Sequence, residues 1–143
     1  MGTQEQYPEA APRPTSIQKV MAAVAIERGG RLFVRQRPTG GVNAGFWEFP
    51  NLEVPEGVDS VHRYVATWLD VAENRLVPLP PIRHAITRYR IRLESFHATG
   101  INLPDALGSD GRWVERVDLE TLALTAAHRR IVRSLPKADA IGC

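Results

Sequence analysis

Apolar side chains fall along this chain in two rhythms, and the change from one to the other marks the elements. Residues 17–27, IQKVMAAVAIE, are continuously apolar in the middle, as a central strand covered on both faces requires. Arg28, Gly29 and Gly30 then make a tight turn, because glycine accepts positive φ without steric cost. Residues 31–37 return as the antiparallel partner, with Leu32 and Val34 on one side and Arg31, Arg35 and Arg37 left for solvent or an anion. A glycine-bearing loop (Gly40, Gly41, Gly45) leads to the aromatic cluster Phe46, Trp47 and Phe49, a strand feeding the same core. From 59 to 70 the period lengthens: Val58, Val61, Val65, Trp68 and Leu69 form one helical stripe, with Asp59 or Ser60 as its cap.

The next segment, LVPLPPIRHAITRYRIRLESFHA, opens as a proline-rich connector (Pro78, Pro80, Pro81) and becomes a long strand. Tyr89, Ile91 and Leu93 alternate there with Arg88, Arg90, Arg92 and Glu94, and the out-of-phase Phe96 predicts a bulge near Ser95. A loop over 108–111, a short strand over 112–114 with Trp113 inward, and a helical turn over 117–124 follow. Thr125 caps a last helix in which Ala127, Ile131, Val132 and Leu135 face the core, His128, Arg129, Arg130 and Arg133 face out, and Pro136 ends it. Trp47, Phe49, Trp68 and Trp113 belong to the core. The predicted fold is α/β, a mixed sheet flanked by helices near 59–70 and 125–135.

With 143 residues, 43% of them hydrophobic, the chain can bury one core of ordinary size, placed here at residues 17–136. Residues 1–16 carry three prolines and read as a flexible interdomain linker; residues 137–143 read as a loose tail. The net charge of +2 is too small to argue for a polyanionic partner, so the placement of the arginines matters more than their sum. One cysteine, Cys143, makes neither an internal disulfide nor a four-cysteine metal site. His62, His97 and His128 are too scattered for zinc, and His84 reads as a hydrogen-bonded structural residue. No apolar run reaches the ~18 residues of a membrane span, and nothing resembles a signal peptide, so the expected compartment is the cytoplasm.

The run GGVNAGFWEFPNLEV resembles the entry to a Nudix-type domain. In that family a glycine and a carboxylate-rich helix follow, whose glutamates hold magnesium against a diphosphate. With the glycine position aligned to Leu52, the first glutamate position is Val58, and the cluster falls on Ala66, Thr67, Asp70 and Val71. Asp70 alone among these could bind a cation. Glu53 and Glu56 precede the helix and lack its i, i+3, i+4 register. With Asp70 they define the alternative reading, a freestanding hydrolase of a nucleoside diphosphate derivative with a degenerate metal site.

GGVNAGFWEFPNLEV, the carboxylate-poor helix, IRHAITRYR and RWVERVDLETLALTAAHRRI, in that order, resemble the C-terminal domain of MutY-type adenine DNA glycosylases over residues 17–135. The resemblance implies a Nudix fold without hydrolase activity that reads 8-oxoguanine opposite adenine in duplex DNA. A separate N-terminal domain, with an iron-sulfur cluster, removes the adenine. This chain itself would carry no catalytic residue, metal or cofactor. The family's lesion-reading Phe-Ser-His triplet falls on Ile86, Thr87 and Arg88. Thr87 would meet the N7 proton or O8 of the lesion, Ile86 would replace the aromatic wedge, and Arg88 would hold a phosphate or stack on a base. Arg35, Arg37 and Arg90, with Lys19 as a weaker candidate, would grip the DNA backbone. A third reading is a protein-interaction module working through the basic strand.

Overall fold

The computed structural model describes residues 16–38, 44–104, 107 and 111–137. Of the expected linker only Ser16 falls among them; Gly40, Gly41, Gly108 and the tail beyond Lys137 lie outside the described residues. Among the described residues eight strands form one mixed sheet: β1 (Ile17–Arg28), β2 (Arg31–Gln36), β3 (Trp47–Glu48), β4 (Asn51–Val54), β5 (Leu76–Pro78), β6 (Ile82–Ile86), β7 (Tyr89–Thr99) and β8 (Gly111–Glu115). The spine runs β3-β2-β1-β7-β5, with β4 on β1, β6 on β7 and β8 on β2. β1 and β7 are parallel, and the other pairings are antiparallel. Helix α1 (Val61–Leu69) and helix α2 (Ala126–Ser134) supply the two packed layers.

The unbroken apolar middle of β1 is explained by two cores, one on each face. Ala23 and Ala25 join Leu32, Val34, Phe49 and Ile131 beneath α2, while Ala22, Val24 and Ile26 join Phe33, Phe96, Val65 and Leu69 beneath α1. Alanine at three of these five positions leaves room over the strand for the larger side chains of both helices. Gly29 and Gly30, both at positive φ, turn β1 into β2. Ser60 caps α1, its Oγ accepting from the Arg63 N–H at 3.1 Å, and Asp70 ends it in the left-handed region at φ 58°.

Four expectations change. There is no bulge at Ser95, because β7 keeps one register against β1 from Ile17↔Tyr89 to Glu27↔Thr99. Phe96 is apolar out of phase for another reason: Ser95, Phe96, His97 and Ala98 are all buried, this half of β7 being covered on both faces. The proline-rich connector contributes β5 and β6, both antiparallel to β7, so the reading of one long strand becomes a hairpin turned at Thr87 and Arg88. His128 faces in, its Nδ1 accepting from the Phe49 N–H at 3.0 Å while its ring stacks on Phe49. Arg129 is half-buried rather than outward, donating to the carbonyls of Leu119 and Leu122.

At the C-terminal end of β1, Glu27 accepts from Arg116 at 2.9 and 3.0 Å and lies 2.7 Å from His97 Nε2. Burial opposes ionisation of this carboxyl, but the hydrogen bonds from Arg116 and His97 outweigh it and hold the pKa below the usual range. The cluster ties β1, β7 and the 3₁₀ turn Arg116–Glu120 together, the turn standing where a helical turn was expected.

Gly111, opposite Arg35, has no room for a side chain: a Cβ there would lie 2.2 Å from the Phe33 ring and 2.7 Å from the Val34 carbonyl oxygen. Gly111→Ala should therefore cost roughly 1–3 kcal/mol, read as a lower midpoint in urea unfolding. Burial lowers the His128 pKa to about 4, against the smaller opposing effect of Glu48. The folded state disfavours the imidazolium that the unfolded chain accepts near pH 6.5, so stability present at pH 7 falls as pH drops from about 6.5 to about 4, by about 3 kcal/mol at most. Glu27 acts in a lower window, its contribution fading only as pH falls through its depressed folded pKa. His128→Phe should be less stable at pH 7, through the unpaired Phe49 N–H, and should flatten the slope between pH 6.5 and 4.

Candidate nucleic-acid interface

The β6–β7 hairpin brings the sequence-predicted reading residues together. Ile86 pairs with Tyr89 across a two-residue turn, which leaves Thr87 and Arg88 exposed at the tip. Thr87 has φ 52°, at a turn position that primed hairpins usually give to glycine, and a β-branched residue held there costs about 1–3 kcal/mol. Its hydroxyl donates to the Ile86 carbonyl oxygen at 2.6 Å. With that proton committed, the lone pairs of Thr87 Oγ1 point its chemistry toward accepting.

Below the tip the hairpin has two different faces. Toward α2, Ile86, His84 and Ile91 line a cavity of about 370 Å³ together with Met21, Thr125 and His128, and with Arg37, Glu48 and Arg130 also at its walls. Arg37 Nη1 donates to both Glu48 carboxylate oxygens, at 2.9 and 3.1 Å. The Thr125 hydroxyl is buried without a hydrogen-bond partner among the described residues. Because His128 Nδ1 accepts a backbone N–H, the neutral ring carries its proton on Nε2. His84 is half-buried; burial, and then the charge of Arg130, lower its pKa. On the opposite face, Gln18, Arg83, Arg90 and Arg92 line a groove of about 480 Å³.

Ile86, Thr87, Arg88 and Arg90 thus share one hairpin. Arg37 reaches the cavity beneath it, already paired with Glu48. Arg35 stands apart: it is half-buried on β2 opposite Glu48 and Gly111 and lines neither the cavity nor the groove. Lys19 sits over the Tyr89 ring at 4.4 Å and pairs with Glu53 at 3.3 Å. Sequence reasoning missed Gln18 and Arg83 as groove residues and Thr125 and His128 as cavity residues. The alternation of Ile82, His84 and Ile86 with Arg83 and Ala85 was the available signal for β6.

Magnesium finds no donor set on α1, whose nine residues VHRYVATWL include no carboxylate. Glu53 is held on β4 by Lys19, Glu56 is exposed in the following turn, and Asp70 is the left-handed cap of α1. Among the described residues no three His, Cys, Asp or Glu side chains gather as metal ligands. No described helix is long and apolar enough to cross a membrane.

No curated protein sequence matches the chain. Solved structures do. The C-terminal domain of mouse MUTYH, solved in complex with human PCNA, aligns with a TM-score of 0.64 at 20% identity, covering 81% of this chain and 86% of that one. The MutT NUDIX hydrolase from Burkholderia pseudomallei aligns with a TM-score of 0.68 at 21% identity, covering 83% and 98%. The E. coli ORF135 protein aligns at 0.60 and 20% identity, covering 87% and 96%. At such identities the likeness establishes the fold. The sequence pattern that defines the NUDIX domain matches residues 21–134, from the middle of β1 to the end of α2, and on that match this chain belongs to the NUDIX domain family.

Proposed function

We propose that this NUDIX domain is a non-catalytic lesion reader that recognises 8-oxoguanine opposite adenine in duplex DNA, on behalf of an adenine DNA glycosylase domain that supplies the excision chemistry and its iron-sulfur cluster. The observation that carries the reading is the division of labour between two elements. α1, where a hydrolase of this family gathers its metal ligands, offers no carboxylate. The β6–β7 hairpin instead presents an exposed hydroxyl in a strained backbone, flanked by cations. The mouse MUTYH domain shares this fold, as do the MutT hydrolases, so the choice between the two readings rests on the residues of α1 and of the hairpin.

The chemistry favours 8-oxoguanine over guanine at one atom. Guanine N7 accepts hydrogen bonds, whereas N7 of the oxidised base carries a proton. Thr87 Oγ1, its own proton given to the Ile86 carbonyl, accepts from the second and has nothing to give the first. Arg88, exposed beside it, holds a phosphate or stacks on a neighbouring base. Ile86, half-buried, seats the hairpin on its cavity and turns only part of its apolar surface outward, so it wedges less than an aromatic would. Arg90 adds a backbone contact. Arg37, committed to Glu48, shapes the cavity rather than the grip, and Arg35 has no part in this surface.

The test joins the chain to a glycosylase domain and compares duplexes with 8-oxoguanine or guanine opposite adenine. Thr87→Val keeps the β-branched shape and the backbone strain but removes the acceptor. It should lower the preference for 8-oxoguanine by roughly two- to tenfold, the worth of one net hydrogen bond, while Thr87→Ser retains it. An unchanged preference in Thr87→Val would show that the reader lies elsewhere. Magnesium-dependent turnover of a nucleoside diphosphate derivative by the purified chain would instead support a hydrolase built on Glu53, Glu56 and Asp70.

A further inference from the structure

The hairpin face turned away from α2 carries an arrangement that the sheet itself does not favour. Arg83 on β6 stands directly opposite Arg92 on β7, and Ala85 stands opposite Arg90, which is flanked on its other side by Gln18 of β1. Like charges opposed across an antiparallel pair destabilise it, the more so where the neighbouring strand adds no acid. Among the described residues Glu94 is near, and it is engaged with Arg92 at 2.8 Å. Among the described residues no carboxylate pairs with Arg83 or Arg90; the latter donates to the Ser16 hydroxyl at 3.0 Å. α1 covers the other end of this face, over Phe96 and Ala98, and leaves the arginine end open.

We propose that this groove holds the phosphodiester backbone of duplex DNA, with Arg83, Arg90 and Arg92 as the contacts and Gln18 as a neutral hydrogen-bonding partner. The occupant follows from charge and spacing. Arg90 and Arg92 are two residues apart on one strand, about 7 Å, the scale of successive phosphates on a nucleic-acid strand. The Arg83–Arg92 pair doubles the charge at one of these steps. Guanidinium forks suit phosphate oxygens, and a polyanion turns the repulsion between the two arginines into a shared contact. The groove lies at the base of the hairpin whose tip carries Thr87, so one duplex can touch both. The choice of DNA as the polyanion rests on the lesion-reading assignment; the phosphate chemistry of the groove does not.

The experiment uses the full chain, a labelled undamaged duplex and fluorescence anisotropy across a series of low salt concentrations. The unsubstituted chain should bind with an affinity that falls as salt rises. Arg83→Ala with Arg90→Ala should weaken binding and flatten the slope of log K against log salt by about 2, near 0.9 for each phosphate that is no longer neutralised. The double lysine variant at the same positions should keep most of the slope, and Arg133→Ala, on the far helix, should leave it unchanged. A slope indifferent to the double alanine variant overturns the proposal, as does absence of any duplex binding at the lowest salt. Poly-glutamate displacing the duplex only from chains that retain both arginines, with a stronger hold than the duplex, would assign the groove to an acidic protein and also overturn it. The two readings fail separately. If the slope responds while 8-oxoguanine is not preferred over guanine, the groove stands and the reading at Thr87 falls; if the preference survives and the slope does not respond, the groove falls alone.

Discussion

The parallel pairing of β1 with β7, unbroken from Ile17↔Tyr89 to Glu27↔Thr99, sets the position of nearly everything else in this domain. Both strands are held along their whole length, so the side-chain alternation of each face is continuous across the sheet centre, and the two helices dock on complementary cores. At one end of the pair the Glu27, His97 and Arg116 cluster locks the strands to the 3₁₀ turn that precedes α2. At the other end β7 continues into β6 and projects the turn that carries Thr87 and Arg88. The exposed tip is therefore an extension of a strand that is paired on both sides, with β1 on one and with β5 and β6 on the other.

The same sheet determines which positions of α1 the fold itself uses. In α1 Val65, Ala66 and Leu69 are buried over β1 and β7, and Val61, Tyr64 and Trp68 pack beside them. Arg63, pointing outward, pairs with Glu73 instead of supporting a ligand cage. α2 contributes differently: His128 reaches across to the Phe49 N–H, a backbone donor that the short strand β3 leaves unpaired, and thereby fixes the helix over the cavity behind the hairpin. Neutral histidine is the form this contact needs, and burial keeps it neutral. Scaffold and hairpin are thus coupled through packing.

What could be read directly from the sequence follows from how locally each feature is encoded. β1, the glycine turn, α1 with its Ser60 cap and the span of α2 are each written in a few adjacent residues, as continuous apolarity, a Gly29–Gly30 pair or a 3.6-residue stripe. β5 and β6 were obscured by Pro78, Pro80 and Pro81, although β6 carries its own two-residue alternation. The burial of His128 was not legible, because a histidine beside two arginines on a helix looks solvated, and only the distant Phe49 N–H gives it a reason to turn inward. That Ile86, Thr87, Arg88 and Arg90 lie close together was legible from their adjacency, whereas their geometry was not: the positive φ of Thr87, the pairing of Arg37 with Glu48, the isolation of Arg35 and the opposition of Arg83 to Arg92 all depend on strand register and turn.

The central claim is that this NUDIX scaffold senses a base at its hairpin tip and does not cleave a diphosphate at α1. Amide-resolved NMR of the labelled chain, titrated with a duplex carrying one 8-oxoguanine opposite adenine, tests it most directly. The account predicts shifts concentrated at Ile86, Thr87 and Arg88 that are larger than those produced by the guanine duplex, with the amides of Glu53 and Asp70 unmoved. Shifts centred on Glu53 and Asp70 when magnesium and a nucleoside diphosphate are added, with a silent hairpin in the DNA titration, would contradict it.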